Sequence, residues 1–201
     1  MKALHLFLAA GTALAMTACG GADSEKLENV EVEMATLNVN TENSTLAWKG
    51  SKSPEYFHTG SVKFSEGQAQ FIDGNLVSGT FSVNMSTMTS LDAELPDEKK
   101  TMLIGHLSSP EFFDVANNVN VKVKCGAYVD GKLPITIMMS GKEIKQDIDA
   151  NVMFEDGKGS ITGKFDVDFS ALDVAGFKPK EGGEAPDALP IISFELNLLL
   201  K

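Results

Sequence analysis

The sequence predicts an all-β domain of antiparallel strands, and three observations carry that reading. From Leu37 onward apolar side chains recur with a period of two, dipeptides such as Asp73-Gly74 and Asp156-Gly157 stand between the alternating runs, and the intervening segments are short. Period two means one buried and one wet face. An Asp-Gly pair supplies the positive φ angles of a tight hairpin, and short connections join antiparallel rather than parallel neighbours.

Taken in order, Leu46 with Trp48, and then Val62 with Phe64, form the first two inward sets. Val77, Phe81, Val83 and Met85 form the next. The clearest run is Val119 to Cys125, where Val119, Val121, Val123 and Cys125 alternate with Asn120, Lys122 and Lys124. Ile135, Ile137 and Met139 follow, then Ile148, Ala150, Val152 and Phe154. Ile161, Phe165, Val167 and Phe169 make one more set, and Ile192, Phe194, Leu196, Leu198 and Leu200 the last. Glu66-Gly67, Asp73-Gly74, Asp130-Gly131, Ser140-Gly141 and Asp156-Gly157 read as turns.

The segment from Leu91 to Asp114 breaks the alternation. Pro96 followed by Asp97 and Glu98 marks a short helix start, with Met102, Leu103 and Leu107 on its apolar side. Residues 176–190 hold Pro179, Gly182, Gly183, Pro186 and Pro190 and read as a long loop. About eight strands must hide their apolar faces by closing into a barrel or by stacking as two sheets. Periodicity fits both.

Ahead of the domain, Lys2, the apolar run Leu4 to Ala15 and the small-residue approach Met16-Thr17-Ala18 read as an export signal over residues 1–18. Cys19 then stands where a bacterial lipobox places the cysteine that becomes an acylated N-terminus. Residues 19–36 carry Asp23, Glu25, Glu28, Glu31 and Glu33 against Lys26 and read as an acidic tether, with the domain at 37–201. Gly20 is not the aspartate that retains some lipoproteins in the inner membrane. The expected place is therefore the outer membrane, facing the periplasm or the cell surface, with the membrane as a partner through the acyl anchor.

Composition narrows the function classes. The 201 residues are 43% hydrophobic and carry a net charge of -11, and all 17 basic residues are lysines. Without arginine the usual bidentate phosphate clamp is gone, and an acidic surface repels polyanions, so nucleic acid is excluded as an expected partner. No nucleophile elbow, phosphate loop, dinucleotide fingerprint or zinc helix occurs. The expected lists of catalytic residues, metal ligands and cofactors are empty. Cys125 continues an inward register and reads as a packed thiol, whereas Asp147, Asp149, Asp166 and Asp168 read as solvated.

The run Gly105-His106-Leu107-Ser108-Ser109-Pro110-Glu111-Phe112-Phe113-Asp114 resembles the His-Leu-x-Ser-x-x-Phe-Phe-Asp motif of the YceI-like family of exported bacterial proteins. Asn43 to Trp48 resembles the family's opening strand and His58 to Val62 its next, while Gly79 to Met88 and Ser140 to Ile144 match later elements. The resemblance spans roughly Leu37 to Leu200, and the lipobox makes the chain similar to lipoproteins of the Bacteroidetes group. Members often carry an arginine at or near Asp168, and here that position has no arginine to orient a head group.

The resemblance implies a lipocalin-like barrel whose apolar cavity binds, stores or carries a polyisoprenoid lipid without catalysis. Trp48, Phe64, Phe81, Met85 and Met139 would then contact the ligand, together with Phe154, Phe165, Phe169 and Phe194. His58 and His106 are the polar candidates. His106 equally suits a structural role, tying down the turn that follows it. A filled core with function on the loops is the first alternative, an enzyme acting on bound lipid the second, and a homodimer is compatible with the sequence.

Overall fold

The computed structural model describes residues 32–180, 182 and 185–201. The segment read as an export signal, Cys19 and the part of the expected tether through residue 31 lie outside the described residues. The elements are β1 (Met34–Asn38), β2 (Thr45–Ser51), β3 (Phe57–Ile72), β4 (Asn75–Ser90), α1 (Asp97–Ser108), β5 (Asn120–Cys125), β6 (Lys132–Met139), β7 (Lys142–Asp149), β8 (Asn151–Glu155), β9 (Lys158–Asp168) and β10 (Ile191–Leu200). A single 3-10 turn, Ala175–Phe177, interrupts the last loop.

All ten strands form one antiparallel sheet in the order β7-β6-β5-β4-β3-β2-β10-β9-β8, with β1 added to β3. The two ends of that path are consecutive in the chain. β7 pairs with β6 up to Asp149 and β8 pairs with β9 from Asn151, so at Ala150 the backbone passes from one end of the sheet to the other. The sheet must therefore curl into a lipocalin-like half-barrel. No ladder joins β7 to β9 among the described residues. That seam is drawn together instead by Gln146 Nε2, which donates to the Asp166 carbonyl at 2.9 Å, and by Lys142 Nζ, which donates to the Ala171 carbonyl at 2.8 Å.

Four of the five sequence-read turns are two-residue hairpins with positive φ at both positions, as in Asp73 (48°) and Gly74 (76°). Such turns match the right-handed twist of the strands they join. Glu66-Gly67 is not a turn but lies inside β3. A Cβ on Gly67 would come within 2.7 Å of Phe81 Cδ1 and 2.8 Å of Val39 Cγ2, so glycine here allows close approach rather than reversal. Long-range pairing of the 16-residue β3 with β4 overrides the local signal.

Three further corrections concern register. Gln70 pairs with Ser78 but Phe71 pairs with Leu76, leaving Val77 as the extra residue of a bulge and turning Leu76 inward at 1% exposure. Val119 precedes β5 and is 41% exposed, because its carbonyl accepts the Met85 N–H while its side chain falls outside the ladder. The run from Ile148 to Phe154 is two strands broken at Ala150. The sheet also begins at Met34, inside the segment read as tether, because residues 34–38 pair with the free side of β3 at residues 68–72.

β3 spans the barrel from the Phe57 end to the Asp73-Gly74 hairpin. The hairpin end is solid: Phe71 and Leu76 are almost fully buried, and Leu37, Phe71 and Leu200 crowd onto Gly159 at 3.1–3.3 Å from its would-be Cβ. The described chain enters at this same end, where Glu33 N donates to Asp73 Oδ1. The opposite end is topped by α1, none of whose side chains is fully buried. Leu103 and Leu107 face the barrel, but Met102 points to solvent at 59% exposure.

Candidate functional site

Between the solid end and α1 lies a cavity of about 410 Å³. That is within the range of small-molecule sites. It exists because inward positions of the open half are not filled to one another. Leu46, Met85, Val123, Phe165, Phe194 and Leu196 all keep the inward register yet are only half-buried, and all line the cavity.

The structure brings ten of the eleven sequence-read residues to this wall. Trp48, Phe64, Phe81, Met85 and Met139 line it, as do Phe165, Phe169, Phe194, His58 and His106. Phe154 does not. Its strand continues past the cavity floor, where it pairs with Gly159 and packs its ring on Phe71 at 4.9 Å.

Sequence reading missed the roof. Phe112, Phe113 and Phe177 close the open end, with Phe112 on Phe177 at 5.8 Å, Phe113 on Phe177 at 6.1 Å and Phe113 on Phe169 at 6.1 Å. From Phe169 the aromatic contacts continue inward through Phe194 at 6.3 Å to Phe165, stacked on Phe194 at 5.9 Å. Phe112 and Phe113 stood in the quoted motif, but turn residues have no period to mark them as inward. Gly176 admits the Phe112 ring: a Cβ there would sit 2.4 Å from Phe112 Cζ.

Polar side chains gather at the mouth. Lys52, Tyr56, His58, His106 and Asp187 line it, coming from the β2–β3 connection, the start of β3, α1 and the loop before β10. That loop is stitched to the rim where Leu189 N donates to the Ser51 carbonyl at 2.8 Å. His106 Nε2 meets Glu111 Oε2 at 3.0 Å and its ring stands edge-on to Phe112 at 4.9 Å, so it ties the following turn down and lines the cavity at once.

His58 is held from behind. Its Nδ1 lies 2.7 Å from Asp92 Oδ2, and Asp92 also accepts bonds from Thr59 N, Thr59 Oγ1 and Ser90 Oγ. Burial pushes the Asp92 carboxyl up, but the bonds from Thr59 and His58 outweigh it and hold the group below its usual value. An ionised carboxylate only accepts, so Nδ1 carries the proton. The Tyr56 ring stands edge-on to His58 at 5.4 Å.

Two other groups differ in character. Trp48 Nε1 is buried without a hydrogen-bond partner among the described residues. Cys125 is buried against Gly79, and desolvation pushes its thiol up to about 12, which keeps it protonated and inert. Asp147, Asp149, Asp166 and Asp168 are exposed. No group of three or more potential metal ligands occurs among the described residues.

A family model described as the YceI-like domain matches residues 37–191. Among solved structures, the chain is similar to BcnA of Burkholderia cenocepacia, at 15% identity and a TM-score of 0.61, over 80% of this chain and 98% of that one. It is also similar to a polyisoprenoid binding domain from Saccharophagus degradans implicated in plant cell wall breakdown, at 10% identity and a TM-score of 0.59, over 84% and 99% of the two chains. These likenesses concern the fold. No curated protein matches the chain.

Proposed function

The chain belongs to the YceI-like domain family, and from that premise we propose that it is a non-catalytic carrier or store for a long isoprenoid or similar amphiphilic lipid. The observation that carries this is the division of the cavity, apolar from floor to roof with its polar side chains at the mouth. A chain of apolar carbons fits such a wall. At roughly 0.8 kcal/mol per buried methylene, about ten carbons contribute ~8 kcal/mol before ordering costs. The Saccharophagus domain of the same fold is itself a polyisoprenoid binder, which supports the ligand class.

The His58–Asp92 pair has the form of a general base with its orienting carboxylate, but the nearby hydroxyls of Thr59 and Ser90 donate to Asp92. That arrangement favours holding a ligand over activating a nucleophile. The reading includes export, acylation at Cys19 and attachment to the outer membrane. Cys19→Ser should then move the protein from the membrane to the soluble fraction, and an unchanged distribution would remove the anchor from the reading.

The central test is native mass spectrometry of the purified protein, followed by organic extraction of whatever it carries. One apolar molecule per chain, released on unfolding, is expected. Phe165→Trp or Phe194→Trp, which fill the space between the stacked pair and the opposite wall, should abolish uptake while the fold is retained. A wild-type chain that stays bare after incubation with isoprenoid lipids would favour the filled-core alternative.

A further inference from the structure

The mouth is more specific than a wet rim around an oily hole. Its lysines are outnumbered by carboxylates: Asp187 Oδ1 is bonded to Lys180 Nζ at 2.7 Å, Lys52 acts on the same carboxylate at longer range, and Asp92 and Glu111 add two more acids beside the histidines. His58 backs onto Asp92. The chain has no arginine to add a bidentate clamp. Nothing in this arrangement offers an excess of positive charge to an anionic head.

His58 offers something else. With Nδ1–H committed to Asp92, a neutral imidazole must present Nε2 as a lone-pair acceptor, and Nε2 has no partner among the described residues. His58 lies on the cavity wall, and on the same strand Val62 and Phe64 continue down that wall. An acceptor at the top of an apolar shaft calls for a donor at the end of an apolar chain.

We propose that the mouth is a head-group site for an uncharged, hydroxyl-bearing lipid end, an alcohol or phenol, whose O–H donates to His58 Nε2 while Asp92 fixes the required tautomer. The proposal rests on the carrier reading and deepens it. Asp92 is a positioning residue that acts through His58. Thr59 N–H donates to Asp92 Oδ1, which holds that oxygen in place, while Oδ2 faces His58. Asp92→Asn should therefore keep its carbonyl toward Thr59 and turn its amide N–H toward Nδ1. His58 would then carry its proton on Nε2 and become a donor, inverting the preference of the site without touching the cavity.

Trp48 lines the cavity and is the single tryptophan of the sequence, so its fluorescence reports occupancy directly. The probes are geranylgeraniol, its methyl ether, which accepts but cannot donate, and geranylgeranyl monophosphate. The wild-type protein should bind the alcohol about tenfold tighter than the ether, the worth of one good hydrogen bond. His58→Phe should bind both equally, and Asp92→Asn should lose or reverse the discrimination while still binding the ether. Equal wild-type affinities, a preference that survives in both variants, or tighter binding of the monophosphate than of the alcohol would overturn the head-group site while leaving the carrier reading standing. Failure of the wild type to bind any of the three would overturn both.

Discussion

Gly60 and Trp48, paired across β2 and β3, share one space: a Cβ built on Gly60 would lie 2.2 Å from Trp48 Cζ2 and 2.0 Å from the Thr89 carbonyl oxygen. The indole is flattened onto β3 because that position has no side chain. Gly60→Ala must push the ring into the cavity or spread the ladder. The expected cost is about 1–3 kcal/mol, read as a fall of several degrees in Tm at roughly 2–4 °C per kcal/mol for a domain of this size. A shifted Trp48 emission should accompany it. Unchanged Tm and emission would show that the close packing is not maintained in solution.

Asp92 links stability to pH. Its carboxyl is held below the usual value of about 3.9. A depressed folded-state pKa contributes stability that is complete above the unfolded value and is lost as pH falls through the folded one. Denaturation midpoints should therefore drop on acidification below about pH 4, and Asp92→Asn should flatten part of that drop while lowering stability at neutral pH. A variant whose acid limb matches the wild type would assign the drop to other carboxylates.

Cys125 should be silent toward thiol reagents in the native state. Burial raises its pKa to about 12, so almost no thiolate is present at neutral pH and little of the sulfur is reachable. In a Cys19→Ser background, labelling should follow global unfolding in denaturant. Rapid labelling of the native protein would mean that β5 opens locally.

The seam between β7 and β9 depends on side chains where the rest of the barrel uses ladders. Gln146→Ala removes the bond to the Asp166 carbonyl and should cost about 0.5–1.5 kcal/mol. Amide exchange should rise along the facing edges of β7 and β9 while β3 and β4 stay protected. Uniform exchange in the variant would show that the seam opens only with the whole barrel.

Much of this fold is legible in the residues because its signals are local. Asp73-Gly74, Asp130-Gly131, Ser140-Gly141 and Asp156-Gly157 name their own turns because glycine takes a positive φ freely and a short polar neighbour, aspartate or serine, takes it beside glycine. Period two names the inward faces of β6, β9 and β10, and Pro96 with Asp97 and Glu98 names the start of α1. The failures sit where pairing partners decide: Gly67 inside β3, Val77 in a bulge, and Phe154 beyond the cavity floor. No neighbour in sequence announces those.

The sequence by itself determined an antiparallel β domain, its inward aromatic set, its lack of arginine and its family resemblance. Alternation and turn chemistry are properties of adjacent residues and survive without a third dimension. Only the tertiary structure decided that the inward side chains of one end meet and fill while those of the other stand apart around a cavity. It also joined His58 to Asp92 across 34 residues and folded Phe112, Phe113 and Phe177 over the opening. Whether facing side chains touch depends on how tightly the sheet curls, and that curvature is set by bulges and by the passage of the chain at Ala150 from one end of the sheet to the other.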